Sequence, residues 1–349
     1  MLSKLSATPL DTSSNISPED SGLRVLDVEE TNDIFGTYPE RRTVNQLLEY
    51  GFIPLDKPAG PTSHEVVAWV RKMLKIEKAG HSGTLDPGVT GLLPIGLGEA
   101  TKALSVLLLG PKEYFGVARL HSPVDDAKLR RVFGEFTGEI YQKPPQKSSV
   151  KRQTRRRRIY EMEILEQKGR LILFRTLCQA GTYVRKLIYD IGEALGPGAT
   201  MAELRRSRVS QLNEKDGLVI MHDLMDAVCL WQEEGSEEKI RRLIRPVEEM
   251  VANLKKIVIR DSAVSAVCHG AQLAVPGILR VSPNIAKGQE VAIYTLKGEL
   301  VAIGVALLST AEIETVEKGL ATETRRVIMK QDTYPRLWKP KRTPDAGVA

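Results

Sequence analysis

The sequence predicts an α+β protein with more than one domain. Three observations carry that expectation. The chain has 349 residues, more than one ordinary core needs. Helical and strand-like patterns alternate as far as Leu254. From there the texture changes to short strands punctuated by Gly and Pro, a β-rich module of ordinary small-domain size.

Residues 1–36 are acidic and rich in Ser and Thr, with no sustained periodicity, and are expected to form a mobile extension. Residues 37–253 are expected to form the larger domain. Within it, a short helix is expected around Val44, and Phe52 to Gly60 reads as a strand ending in a turn. Thr62 and Glu65 then form a capping box before Val66, Val67, Val70, Met73 and Leu74 at helical spacing. Gly80 to Gly98 has the Gly and Pro content of a loop but is apolar. Ala100 to Leu109 reads as helix, Lys112 to His121 as strand and Leu129 to Phe136 as helix. Tyr141 to Arg158 is a basic loop, and Ile159 to Leu165 with Leu171 to Cys178 form a hairpin across a Lys168-Gly-Arg170 turn. A helix follows Gly181, with Val184, Leu187, Ile188 and Ile191 as its buried stripe. Met201 to Arg206, Asp223 to Trp231 and Lys239 to Leu254 also read as helical. Residues 254–332 are the β-rich module, and 333–349 a basic tail.

Composition narrows the function classes. No run approaches the ~18 apolar residues of a membrane span, and the chain opens on no basic-then-apolar leader, so a membrane role is not expected. Three widely spaced cysteines and five scattered histidines give neither a disulfide framework nor a metal pattern, which suits a reducing compartment and no cofactor. The net charge is +6 overall. Residues 1–40 set Lys4 and Arg24 against eight acids, a local −6, so the remainder carries +12. A polyanionic partner is one reading of that excess, and a well-solvated surface the other.

Five places suggest chemistry. Asp86 is the one carboxylate in the apolar Gly80–Gly98 stretch, where Pro87 biases it away from helical geometry. It is either a reactive acid in a cleft or the head of an Asx-turn. Lys57 sits at a strand-to-helix junction. Tyr114 and Phe115 point to opposite faces of their strand, so one of them is placed to meet a cleft. Arg185 falls at the edge of its helix's apolar stripe, where it can reach a carboxylate. In the basic loop, six of residues 151–158 are Lys or Arg, a better phosphate-binding surface than a tail when a hairpin follows directly.

The order of these motifs resembles the pseudouridine synthases of the dyskerin type, the catalytic subunits of H/ACA guide ribonucleoproteins. The residues that carry it are Leu55-Asp-Lys-Pro58 with Gly60-Pro-Thr-Ser-His-Glu-Val66, Gly80-His-Ser-Gly-Thr-Leu-Asp-Pro87 and Lys112-Glu-Tyr114. Gln142-x-Pro-Pro145, Val150-Lys-Arg152, Ala180-Gly-Thr-Tyr-Val-Arg185 and Glu203-Leu-Arg-Arg206 continue it. Asp261 to Ile278, with His269-Gly-Ala271 and Val275-Pro-Gly-Ile278, is similar to a PUA RNA-binding domain. Gln146-Lys-Ser-Ser149 departs from the family's more apolar wording.

The resemblance implies a mixed, mostly antiparallel sheet with flanking helices, plus a small β-barrel-like PUA domain. It implies isomerisation of uridine to pseudouridine in rRNA or tRNA, without cofactor or metal. Asp86 is then the catalytic residue, and Tyr114, Arg185, His81, Leu204 and Lys57 bind substrate. Lys151, Arg152, Arg155, Arg156, His269, Gly270, Pro276 and Gly277 bind RNA. The implied partners are an H/ACA guide RNA and small Nop-type, Gar-type and kink-turn-binding ribosomal-type proteins. The compact, archaeal-like chain implies the cytoplasm, or the nucleolus if eukaryotic. A stand-alone tRNA T-loop synthase shares the catalytic motifs, and a non-catalytic RNA-binding scaffold is the alternative of another class.

Overall fold

The computed structural model describes residues 22–143 and 153–336. Residues 1–21, the loop residues 144–152 (Lys151 and Arg152 among them) and 337–349 of the expected tail lie outside it.

The larger sheet has ten strands among the described residues. Its main path runs 245–246, 51–57, 90–97, 199–209, 112–120, 171–178, 155–168, 138–142, with 212–213 and 79–81 paired at its flanks. All of its pairings are antiparallel except that of Thr90–Leu97 with Ala199–Val209. One face is covered by helices, among them Ser63–Leu74, Asp126–Glu135 and Val184–Leu195. Alternation of side chains delivers Leu93, Ile95, Ala118, Phe174 and Leu204 to that covered face, where they join Val66, Leu187 and Ile191 in one core.

The second sheet has seven strands, in the order 24–25, 278–281, 255–259, 290–294, 300–306, 320–327, 273–274. It wraps its own core, built on Ile257, Val264, Val291, Val301 and Met329. A third cluster joins the two bodies: Phe52, Leu92, Leu107 and Met250 of the first pack with Val258, Tyr294, Leu300 and Ile328 of the second.

Four expectations are corrected. Residues 22–36 are not a loose extension, because Arg24–Val25 pairs with Ile278–Val281. Thr31 and Asn32 also bond the Asp261 carboxylate, at 3.0 and 2.9 Å. Met201 to Arg206 is strand, not helix: Leu204 and Arg206 are buried on one face while Arg205 takes the other, and a five- or six-residue window does not separate the two periods. The long helix after Lys239 stops at Leu243, because Pro246 lacks the N–H to continue it and enters a short strand instead. Of the basic tail, Tyr334 is buried in the second core. The apolar content of Gly80–Gly98, by contrast, is that of two strands, Ala79–His81 and Thr90–Leu97, and the turn between them.

Candidate active site

Asp86 stands on a turn fastened from three sides. Val89 N–H closes the turn onto the Asp86 carbonyl at 2.9 Å. Ser63, buried at the start of its capped helix, donates its hydroxyl to the Leu85 carbonyl at 3.1 Å and accepts the Leu85 N–H at 2.9 Å. Lys57 is fully buried and not a solvated turn lysine. Its ammonium donates to the carbonyls of Pro58, Pro87 and Val89 at 2.9, 3.1 and 3.0 Å. Burial lowers its pKa, opposed by the charge of Asp86. Lys57 therefore braces the backbone under the acid and has no ammonium hydrogen left for a phosphate.

The Asp86 carboxylate leaves its own turn and meets Arg185 Nη2 at 2.9 Å. Arg185 comes from the first turn of Val184–Leu195, whose buried stripe is the one expected. The side chains of Arg185 and Asp86 are 64% and 58% exposed, so the pair stands open to solvent and a nucleotide can reach it.

The turn that carries Asp86 borders the larger sheet at Arg206, which a Cβ on Gly83 would approach to 3.2 Å. Tyr114 lies directly opposite Arg206, and Gly116 opposite Leu204, so all three side chains face the same way. Gly116 leaves room there: a Cβ on it would sit 3.0 Å from Leu204 and 2.5 Å from Phe174. Burial pushes the Tyr114 phenol above its ordinary value, with Arg206 pulling it back. His81 stacks edge-on against His64 at 5.1 Å. Burial, reinforced by His64 and Arg206, lowers His81 to about 4, so its ring is neutral near pH 7. Lys112 is also buried on the Tyr114 face, lowered to about 8 by burial and by Arg206. It caps the Leu104–Leu109 helix through the carbonyls of Leu107, Leu108 and Gly110.

The basic residues that are described divide by face. Arg155 to Arg158 are not loop but the first residues of the Arg155–Lys168 strand. Arg155 and Arg157 share the face of the buried Ile159, and through Cys178 and Lys112 that of Tyr114. Arg156 points the other way and lies 3.5 Å from Glu139, which takes it off the Tyr114 face. Arg157 lies over Gly181, where a Cβ would come within 3.1 Å of its Nη2.

His269, Gly270, Pro276 and Gly277 belong to the β-rich body: the first two follow the Asp261–Cys268 helix and the last two lie in the Val275–Gly277 turn. His269 Nδ1 lies 2.7 Å from the Ser265 carbonyl and Nε2 lies 2.8 Å from Arg336. Gly270 has a φ of +85° with open space around it, and Gly277 packs against Ala263 and Leu273.

Sequence reasoning missed Ser63, Lys112 and Arg206 as parts of the site. The available signal was strand alternation: once Leu204 faces inward, Arg206 does too.

Comparison with known proteins gives the arrangement its class. Residues 71–184 match the TruB family pseudouridylate synthase N-terminal domain and 185–252 the tRNA pseudouridylate synthase B C-terminal domain. Residues 255–328 match the PUA domain and 19–67 the DKCLD domain. The chain belongs to the TruB family of pseudouridylate synthases, and its enzymatic class is pseudouridine synthase.

Among its relatives, a protein of Methanocaldococcus jannaschii called "Probable tRNA pseudouridine synthase B" is 50% identical over 92% of this chain and 95% of its own length. One of the same name from Methanopyrus kandleri is 52% identical over 88% of this chain and 91% of its own length. Among solved structures, the archaeal box H/ACA sRNP Nop10–Cbf5 complex matches with a TM-score of 0.83 and 50% identity over 90% of this chain and 98% of the other. An H/ACA RNP bound to a substrate RNA containing 2′-deoxyuridine matches with a TM-score of 0.84 and 47% identity over 93% of this chain and all of the other.

Proposed function

We propose that this chain isomerises uridine to pseudouridine as the catalytic subunit of a guide-RNA-directed H/ACA ribonucleoprotein. The observation that carries the chemistry is the solvent-open Asp86–Arg185 pair. The reaction breaks the bond between uracil N1 and ribose C1′, turns the base, and rejoins it through C5. The C5 proton is lost and N1 gains one, so there is no net redox change. The target base leaves its stack to reach such a site, at a cost of roughly a few kcal/mol.

Asp86 acts at C1′, as nucleophile or as stabiliser of the positive charge that develops there, and Arg185 orients it. Tyr114 supplies the surface on which the uracil stacks. Its raised pKa keeps the phenol protonated, which favours stacking over a role as base for the C5 proton. The neutral His81 is placed to fill the gap left by the extruded base, and Leu204 forms the apolar wall. Arg155 and Arg157 hold phosphates on the Tyr114 face. His269, Gly270, Pro276 and Gly277 contact RNA from the β-rich body.

Guide dependence is supported by the full-length likeness to chains solved within H/ACA complexes, one with Nop10 and another with Nop10 and Gar1. The names of the sequence relatives favour a second reading, a synthase acting on tRNA without a guide. Assay of the purified chain separates the two. Pseudouridine formed in a target RNA only when a matching H/ACA guide and the small partner proteins are added supports the first. Full turnover on transfer RNA alone, with no gain from a guide, would overturn guide dependence.

A further inference from the structure

Arg206 is the largest fully buried side chain, 1% exposed, beneath an active site whose one acid stands in the open. Its neighbours on the sheet are neutralised: Arg205 pairs with Asp56 and Glu214, and Arg175 with Glu113, Glu161 and Glu163. Arg206 has no carboxylate within ion-pair distance among the described residues. Its Nε donates to the Leu92 carbonyl at 2.8 Å, it lies directly opposite Tyr114 across the strand pair, where its charge pulls down the phenol that burial raises, and its Nη2 is buried with no partner. It reaches the Asp86 turn as well, since a Cβ on Gly83 would sit 3.2 Å from its Nη1. Burying a charge without a counter-charge is costly, and a second buried cation, Lys112, lies on the same face. The sequence keeps positive charge here at the expense of stability.

We propose that Arg206 is a positioning residue for the isomerisation and acts through Tyr114, fixing the ring on which the uracil lies and setting positive charge beneath the base. When the C1′–N1 bond breaks, its electron pair leaves with N1 and the detached uracil is an anion. It stays so until C5 bonds to C1′, and the neutral adduct then exchanges the proton on C5 for one on N1. A fixed cation under the stacking ring favours that interval without solvent reorganisation. The inference rests on the roles proposed for Asp86 and Tyr114.

The test is single-turnover isomerisation by the full chain, assembled with guide and partners, on targets carrying uridine or 5-fluorouridine. The fluorinated base bears negative charge more readily and needs less help. Arg206→Gln is expected to slow uridine turnover by about 100-fold with RNA affinity unchanged, and to slow cleavage of the 5-fluorouridine bond by at least about tenfold less. Arg206→Lys restores most of the rate, and Tyr114→Phe added to Arg206→Gln costs little more. Equal losses on both bases, a loss confined to binding, or independent effects of Arg206 and Tyr114 would overturn the proposal. If Arg206→Gln does not fold, Tyr114→Phe alone must show the same difference between the two bases, and its absence overturns the proposal equally. Retained turnover in Asp86→Asn instead refutes the underlying site, whatever Arg206 does.

Discussion

At Asp86 the local backbone and the long-range contacts do separate work. Ser63 and Lys57 fix where the carboxylate begins, and Arg185, from a helix about a hundred residues on, fixes where it ends. His81 shows the electrostatic cost of such a site. Its pKa is held to about 4 against an ordinary 6.5, so the unfolded chain takes up this proton first as pH falls. The stability this group contributes is complete above pH 6.5 and is lost as pH falls towards 4. His81→Gln should flatten the fall of the melting temperature over that window, and an unchanged slope would contradict the assignment. Asp86, Tyr114 and Arg185 are legible in the sequence because their motifs sit beside clear Gly, Pro and helix signals. Arg206 is not, because an arginine in an alternating strand reads as surface until its neighbours are known to be core.

Among the elements, the Arg155–Lys168 strand changes the meaning of the basic run. A loop would offer all four of its described arginines to RNA, whereas a strand offers every second one. Replacing Arg155 and Arg157 by Gln should reduce the slope of log affinity against log salt by about 2, roughly one for each phosphate no longer neutralised. Replacing Arg156 and Arg158 should leave it nearly unchanged. Equal effects from both pairs would return the segment to a loop-like surface. Met201 to Arg206 reads as helix although it lies within the strand Ala199–Val209, because a window of six residues does not separate the two periods.

Across the whole molecule, the two sheets are one structure with a seam. Glu248 accepts both Arg42 Nη1 and Nη2, at 2.8 and 2.7 Å, and also the Leu300 N–H of the second sheet at 2.9 Å. It ties the segment ahead of the first helix, the larger sheet and the β-rich module together. Glu248→Gln leaves Arg42 buried with its charge unpaired and should cost about 3 kcal/mol, read as a lowered midpoint of chemical unfolding. A change below about 0.5 kcal/mol would contradict the seam. The β-rich module is visible in the sequence as a change of texture at Leu254. The docking of residues 22–36 is not, because their partners at Asp261 and Lys297 lie 229 to 265 residues away and leave no local period to read.

The account depends on Asp86 working at C1′ of an extruded uridine. Its most direct test is single-turnover pseudouridine formation by Asp86→Asn, measured beside RNA affinity. The account predicts a rate below about a thousandth of the wild type with affinity changed less than about threefold, because the side chain keeps its volume and the charge removed is one that RNA does not need for binding. Turnover within about tenfold of the wild type would contradict it.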